Sequence, residues 1–204
     1  MAHTAYQHGH HLRRPRRDQT GLCMTEVLVA VFIFAFGGIG AATMQILSAQ
    51  ANLEAHQRSQ AVYHATDILE RIRNNTGALA DYDTPADGDW TILGDGSRGT
   101  QPTPDCESVA CTATQQATYD LWEWERALDG HERTRADATP AGGLIHPTGC
   151  IRNHGNGQLE IAIAWHGRRE TLNASVAPGC AATDRYGEDS QFRRVMRLRT
   201  HVQP

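Results

Sequence analysis

Lysine is absent: all 19 basic residues of the 204 are arginine, which we read as genomic composition bias and not as a functional signal. Charge of either sign is absent from Val27 through Leu53. There is only one such run, so a multi-span transporter is excluded. Collagenous, coiled-coil and low-complexity architectures are excluded as well. The chain holds no Gly-x-Ser-x-Gly and no phosphate loop, and His131-Glu132-Arg133-Thr134-Arg135 lacks the second histidine of a zinc-protease helix. Nothing reads as catalytic; no enzyme, cofactor or metal is expected. A net charge of −4 weighs against a dedicated nucleic-acid binder, which carries a basic face. What is present, at 40% hydrophobic and 21% charged, averages to a globular protein whose apolar residues are gathered near the start.

The first 21 residues are polar, with Arg13, Arg14, Arg16 and Arg17 against Asp18 alone. The run from Leu22 to Leu47 is 26 residues, roughly 39 Å as helix at ~1.5 Å per residue, enough to cross a ~30 Å hydrocarbon core. It is too long for the apolar region of a secretory signal peptide. The arginines before it would hold the N-terminus in the cytoplasm, which sends the chain after about residue 50 outside. Glu26 interrupts the run. A carboxylate near the bilayer centre costs at least ~2.5–3.5 kcal/mol, so Glu26 either reaches the cytoplasmic boundary or has a partner.

Gly21, an apolar residue, three more residues, Glu26 and then an apolar helix behind a basic leader: this order resembles the class III signal of type IV pilins and type II secretion pseudopilins. The resemblance implies cleavage between Gly21 and Leu22 by a membrane prepilin peptidase, which also methylates the new amine of Leu22. It implies that Glu26 of one subunit pairs with the Leu22 amine of its neighbour. Such pairing offsets the cost of a carboxylate in an apolar bundle and penalises wrong register. Cys23 lacks the small preceding residue of a lipoprotein signal. Where major pilins tend to carry a proline this chain has Thr43, with Gly37, Gly38 and Gly40 nearby; we read these as close helix packing through pairs such as Gly37–Ala41.

Gln45 through Asn74 is free of Gly and Pro and rich in helix formers. Leu47, Ala51, Ala55, Val62, Ala65, Ile68, Leu69 and Ile72 form an apolar stripe. Asn74-Asn75-Thr76-Gly77 supplies a stop. One helix over 22–74 is expected. Loops around a short strand at Trp90–Leu93 follow, and spaced aspartates such as Asp81 and Asp83 read as solvated turns and not as a calcium loop. A second helix is expected over Thr114–Leu128, capped by Thr114, with Ala117, Leu121, Trp124 and Leu128 on one face. Trp122 and Trp124 read as core and sheet-edge packing. Strands are expected at Gly143–His146, Leu159–Trp165, Glu170–Val176 and Arg194–Val202. The fold class is α+β, a pilin-like lollipop: a long helix under a small antiparallel sheet. The parts are a leader (1–21), a transmembrane or filament-core helix (22–48), an amphipathic half (49–75) and a periplasmic head (76–204).

The stretch Cys111–Trp124, Gly149-Cys150-Ile151, Leu159–Trp165 and Phe192–Met196 resemble the PilV-type minor pilins, the type IV pilus modification proteins. That resemblance implies a minor pilin of the inner membrane and then the pilus surface. Its partners would be other minor and major pilins, the prepilin peptidase and the inner-membrane assembly platform. A type II secretion pseudopilin and an unprocessed membrane-anchored domain are the alternatives. Four of the five cysteines lie in the head, an even number that reads as disulfides in an exported domain. Cys106 with Cys111 and Cys150 with Cys180 is the pairing we favour among three connectivities. Without the leader, 15 basic residues face 22 acidic ones, a net of −7. No nucleic acid is expected as a partner, although Arg193, Arg194, Arg197 and Arg199 could make a local basic stripe.

Overall fold

The computed structural model describes residues 21, 23–83, 89–94, 97–131, 136, 143–171, 179–181 and 183–203. The chain divides into two compact units, Met1–Ile46 and Leu47–Pro204, and helix α1 (Met24–Asn74) belongs in part to each. Its 51 residues contain no proline, and Gly37, Gly38 and Gly40 do not break it. A Cβ added at any of the three meets nothing within 4 Å, so these glycines open no close contact inside the chain.

In the second unit α1 buries Gln57, Ala61, His64, Ala65, Ile68, Leu69 and Ile72. The expected stripe is therefore half right. Leu47, Ala51, Ala55 and Val62 are exposed, because the buried face follows the small side chains of Ala61 and Ala65, one residue (about 100°) round from Val62. After Asn74 the chain makes a 3-10 turn, Thr76–Tyr82, where a loop was expected, and this turn buries Tyr82 fully.

Helix α2 (Ala113–Leu128) starts at Thr112 and not at Thr114. The Thr112 hydroxyl accepts from the Gln115 amide at 3.3 Å, and the Gln115 side chain accepts from the Thr112 amide at 2.9 Å. Thr112-x-x-Gln115 is thus a capping box, and Thr114, lacking such a partner, loses to it. Ala117, Leu121, Trp124 and Leu128 are buried as the periodicity requires.

Four strands, β1 (Thr91–Leu93), β2 (Thr148–Asn153), β3 (Gln158–His166) and β4 (Arg193–His201), form one antiparallel sheet in chain order. The register sets Cys150 beside Ile92 and Ala162, and Ala162 beside Arg197. Gly143–His146 is not a strand; the strand there is β2, five residues later. Its Gly149 and Cys150 hide it from propensity. Gly149 is required because a Cβ there would lie 2.5 Å from the Trp124 ring and 2.7 Å from Leu128, so only glycine lets β2 lie against α2. Of the strand expected at 170–176, Glu170 and Thr171 are irregular and 172–176 lie outside the described residues.

Alternation in Leu159–Trp165 predicts one buried face, yet β3 is buried on both. Ile151, Leu159, Ile161, Ile163 and Trp165 meet α1 and α2 in the main core. On the other face Trp90 and Cys180 cover Cys150 and Ala162, while Ala181 and Tyr186 cover Ala164. The disulfide Cys150–Cys180, with Cα atoms 5.8 Å apart, stitches this cover to the sheet, and Cys106–Cys111 closes a local turn. A loop the size of Cys150–Cys180 stabilises by ~3–4 kcal/mol through chain entropy. Replacing both cysteines by serine is expected to lower the unfolding free energy of the detergent-solubilised chain by that amount, read as a fall in its urea midpoint, and replacing Cys106 and Cys111 by less. An unchanged midpoint for the first variant contradicts this.

Candidate functional site

Helix α1 begins with the amides of Glu26 and Val27 donating to the Cys23 carbonyl at 2.9 and 3.3 Å. Glu26 therefore sits in the first turn, where the partial positive charge of the helix N-terminus favours a carboxylate. Gly21 and the exposed Cys23 are described; Leu22 lies outside the described residues. The Glu26 side chain is exposed, with no hydrogen bond or ion pair among the described residues. Around it the surface is apolar: Met24 is 84% exposed, and Leu28, Val31 and Phe32 lie open behind it. The helix is long and apolar enough to cross a membrane, and none of its apolar window is buried within the chain. A carboxylate at the head of such a helix would need a partner wherever the helix is buried in lipid or among other helices.

In the second unit the end of α1 is held by charge. Arg71 donates to Asp67 at 3.1 Å and to Glu123 of α2, and lies 3.6 Å from Asp120. Burial, the largest influence, works against the Arg71 charge, but the hydrogen bond and field of Glu123, with the field of Asp67, outweigh it and raise the pKa above the ordinary value. Asp120 also accepts from the Tyr82 hydroxyl at 2.5 Å and from Gln116 at 2.8 Å. Burial first, then that bond to Asp120, pushes the Tyr82 hydroxyl well above the usual tyrosine range. Asn75 bridges Tyr82 at 3.1 Å and the Ala113 carbonyl at 2.8 Å. Further along the helix, Arg194 reaches Glu54 at 3.4 Å and Arg169 reaches Gln50 at 2.9 Å.

A second buried carboxylate organises the loop after β1. Glu125, 2% exposed, accepts from the amides of Gly94, Ser97 and Arg98 at 2.7, 2.9 and 2.7 Å, and from the Ser97 hydroxyl. Asp83 is not a solvated turn residue: it accepts from the Asn153 amide at 2.7 Å and from the Thr91 hydroxyl at 3.3 Å, and so ties β1 to β2. Arg71, Asp120, Glu125 and Glu160 do not stand out as site residues in the sequence. A signal existed for two of them. Asp120 and Glu125 fall three and four residues from Ala117 and Leu121, on the apolar face of α2, where an acid needs a buried partner.

Trp124 and Trp122 part company. Trp124 is fully buried, and its indole N–H donates to the His64 carbonyl of α1 at 2.8 Å. Trp122 is half-buried, donates to the Gly99 carbonyl at 3.3 Å, lies under Arg126 and lines a small groove with Tyr119, Glu107 and Glu123. The four arginines at the chain end do not make one stripe: strand alternation sets Arg197 beside Glu160 and Arg194 on the side of α1. No group of three or more His, Cys, Asp or Glu is placed to hold a metal ion among the described residues.

Comparison with curated proteins and with solved structures gave no match. Comparison with family models gave one over residues 43–122, the segment that carries the second half of α1, the Thr76–Tyr82 turn, β1 and most of α2. That model is Tt1218-like, described as type IV pilin Tt1218; the chain is similar to it over those residues, and its long N-terminal apolar helix followed by a small antiparallel sheet is a pilin-like α+β architecture.

Proposed function

We propose that the chain is a minor pilin of the PilV type, made as a prepilin and incorporated into a type IV pilus with other pilins. Prepilin peptidase cuts between Gly21 and Leu22 and methylates the Leu22 amine. The basic leader keeps the N-terminus in the cytoplasm until then, and the head stands on the periplasmic side of the inner membrane. The observation that carries this reading is Glu26: a carboxylate five residues after Gly21 with no partner among the described residues, in the first turn of an apolar helix that none of the described residues covers. The work is structural and not enzymatic. The apolar part of α1 (about 22–48) packs among neighbouring pilin helices, and the head meets neighbouring subunits, with the inner-membrane assembly platform as the place of joining.

Mass spectrometry of the protein extracted from its native membranes tests the processing step. The expected chain begins at N-methylated Leu22. A chain that keeps Met1–Gly21, in cells that process their other pilins, overturns the reading and leaves an unprocessed membrane anchor. A processed chain whose deletion stops protein secretion while pilus number holds would reassign it to a type II secretion pseudopilin.

A further inference from the structure

The turn between β2 and β3 holds a reactive pair that the assembly role leaves unused. The chain has six asparagines, and Asn156 alone is followed by glycine. In the fold this pair makes the corner of the β2–β3 hairpin. Asn156 has φ +50° and Gly157 φ +75°, and the Gln158 amide donates to the Gly155 carbonyl at 2.9 Å across them. Two consecutive positive φ values under such a bond define a type I′ turn, for which Asn-Gly is the preferred sequence. The corner is also held from its flanks. The His154 amide donates to the Gln158 carbonyl and the Val202 amide to the Gly157 carbonyl, both at 2.8 Å, and the Gly155 amide donates to Asn153 Oδ1 at 2.9 Å.

Two groups take no part in this scheme. Among the described residues neither the Gly157 amide nor the Asn156 side chain has a hydrogen-bond partner, and Asn156 is exposed. The amide nitrogen and the side-chain carbonyl carbon belong to adjacent residues, so a bond between them closes a five-membered ring. To bring them together, the peptide unit between Asn156 and Gly157 turns over. That flip converts type I′ into type II′: φ of the first central residue stays positive and φ of the second changes sign. Glycine takes both signs freely, so Gly157 permits the flip. Every bond that holds the corner is made by a peptide unit on either side, or by Asn153, and not by the unit that flips. The ring can therefore close without opening the hairpin.

We propose that Asn156 is a self-modification site, deamidated by the backbone of its own turn. The Gly157 nitrogen bonds to the Asn156 side-chain carbonyl carbon, and the side-chain amide leaves as ammonia with the proton from Gly157. Water then opens the cyclic imide. Breaking the new bond gives aspartate, and breaking the original backbone bond gives isoaspartate, with an N–H restored to Gly157 in both. Water is the one co-reactant, and nothing is oxidised or reduced. The product carries a carboxylate at a corner packed against β4: a Cβ on Gly157 would lie 3.1 Å from the His201 ring. The step needs no partner, so it stands apart from the proposed assembly role.

The test holds the full chain in detergent at mildly alkaline pH in heavy-oxygen water, with far-UV circular dichroism to show that it stays folded, and maps its peptides by mass spectrometry. Asn156 is expected to exchange its amide for one labelled oxygen, giving both aspartate and isoaspartate. The rate should exceed that of Asn153, which is held by the Gly155 amide and followed by histidine, on the order of tenfold or more. Conversion in the folded chain should be within about tenfold of that in urea, because the flip leaves the hairpin intact. Asn156→Gln keeps the amide but lacks the five-membered path, and should abolish the conversion. Gly157→Ala is no substitute, since its Cβ would lie 2.2 Å from the Val202 carbonyl oxygen. No label at Asn156, a rate equal to that of Asn153, conversion in urea alone, or an equal conversion of Asn156→Gln overturns the proposal.

Discussion

Glu26→Ala is expected to remove this chain from assembled pili by ~10²–10³-fold while leaving its level in the membrane unchanged. Under the proposed function the carboxylate pairs with the Leu22 amine of a neighbour inside an apolar bundle. Taking one partner from a buried pair strands the other charge, at a cost of ~3–5 kcal/mol, and each ~1.4 kcal/mol is a factor of ten in an equilibrium. Insertion should not suffer, because removing a charge makes the helix easier to insert. Glu26→Gln keeps the shape and loses the charge, so it should fail nearly as badly; if it assembles normally, the ion pair is not what selects register. The measurement is the ratio of sheared pilus to membrane fraction by immunoblot. Equal ratios for wild type and Glu26→Ala would reduce Glu26 to a boundary residue of a simple anchor.

Trp124→Ala is the second large effect, and it acts on the head. Trp124 is fully buried between α1 and β2, donates to a mid-helix carbonyl at His64, and presses its ring where a Gly149 side chain would be. Large-to-small changes of a buried tryptophan cost ~3–5 kcal/mol, a large part of the ~5–15 kcal/mol that holds a domain together. For a unit of this size the melting temperature should fall by roughly 10–20 °C. Trp124→Phe keeps most of the volume but strands the His64 carbonyl from its indole donor, and should fall between the two. Near-UV circular dichroism of the full chain in detergent, scanned with temperature, reads both. A shift under ~3 °C for Trp124→Ala would mean that the α1–α2–β2 junction is not the centre of the fold.

Much of the architecture was legible in the residues because it depends on local pattern. The uncharged run from Val27, the Gly-free and Pro-free stretch to Asn74, and the alternation in Leu159–Trp165 each state a period that one element satisfies. The face of α1 was not legible in full. Apolar residues at 47, 51, 55 and 62 satisfy the helical period as well as those that are buried, and only the position of the sheet and α2 selects Ala61 and Ala65 over Val62. Strand β2 was hidden for a similar reason: Gly149 is a poor strand residue by itself and a necessary one against Trp124.

The candidate site divides along the same line. Gly21, Leu22 and Glu26 are a linear motif, readable without a fold because whatever acts on them acts on consecutive residues. The charged interior is different. Arg71 and Glu123, Glu125 and the Gly94–Arg98 amides, Glu160 and Arg197 are far apart in the chain and meet only when helix and sheet close on each other. By itself, then, the sequence determined the long helix, the carboxylate at its head, the second helix and strands β1, β3 and β4, all of which follow from periodicity and spacing. The tertiary structure alone decided which face of α1 is covered, that β3 is buried on both sides, and which partners Arg71, Glu125 and Glu160 meet. Those outcomes depend on contacts between residues distant in the chain, and no local pattern encodes them.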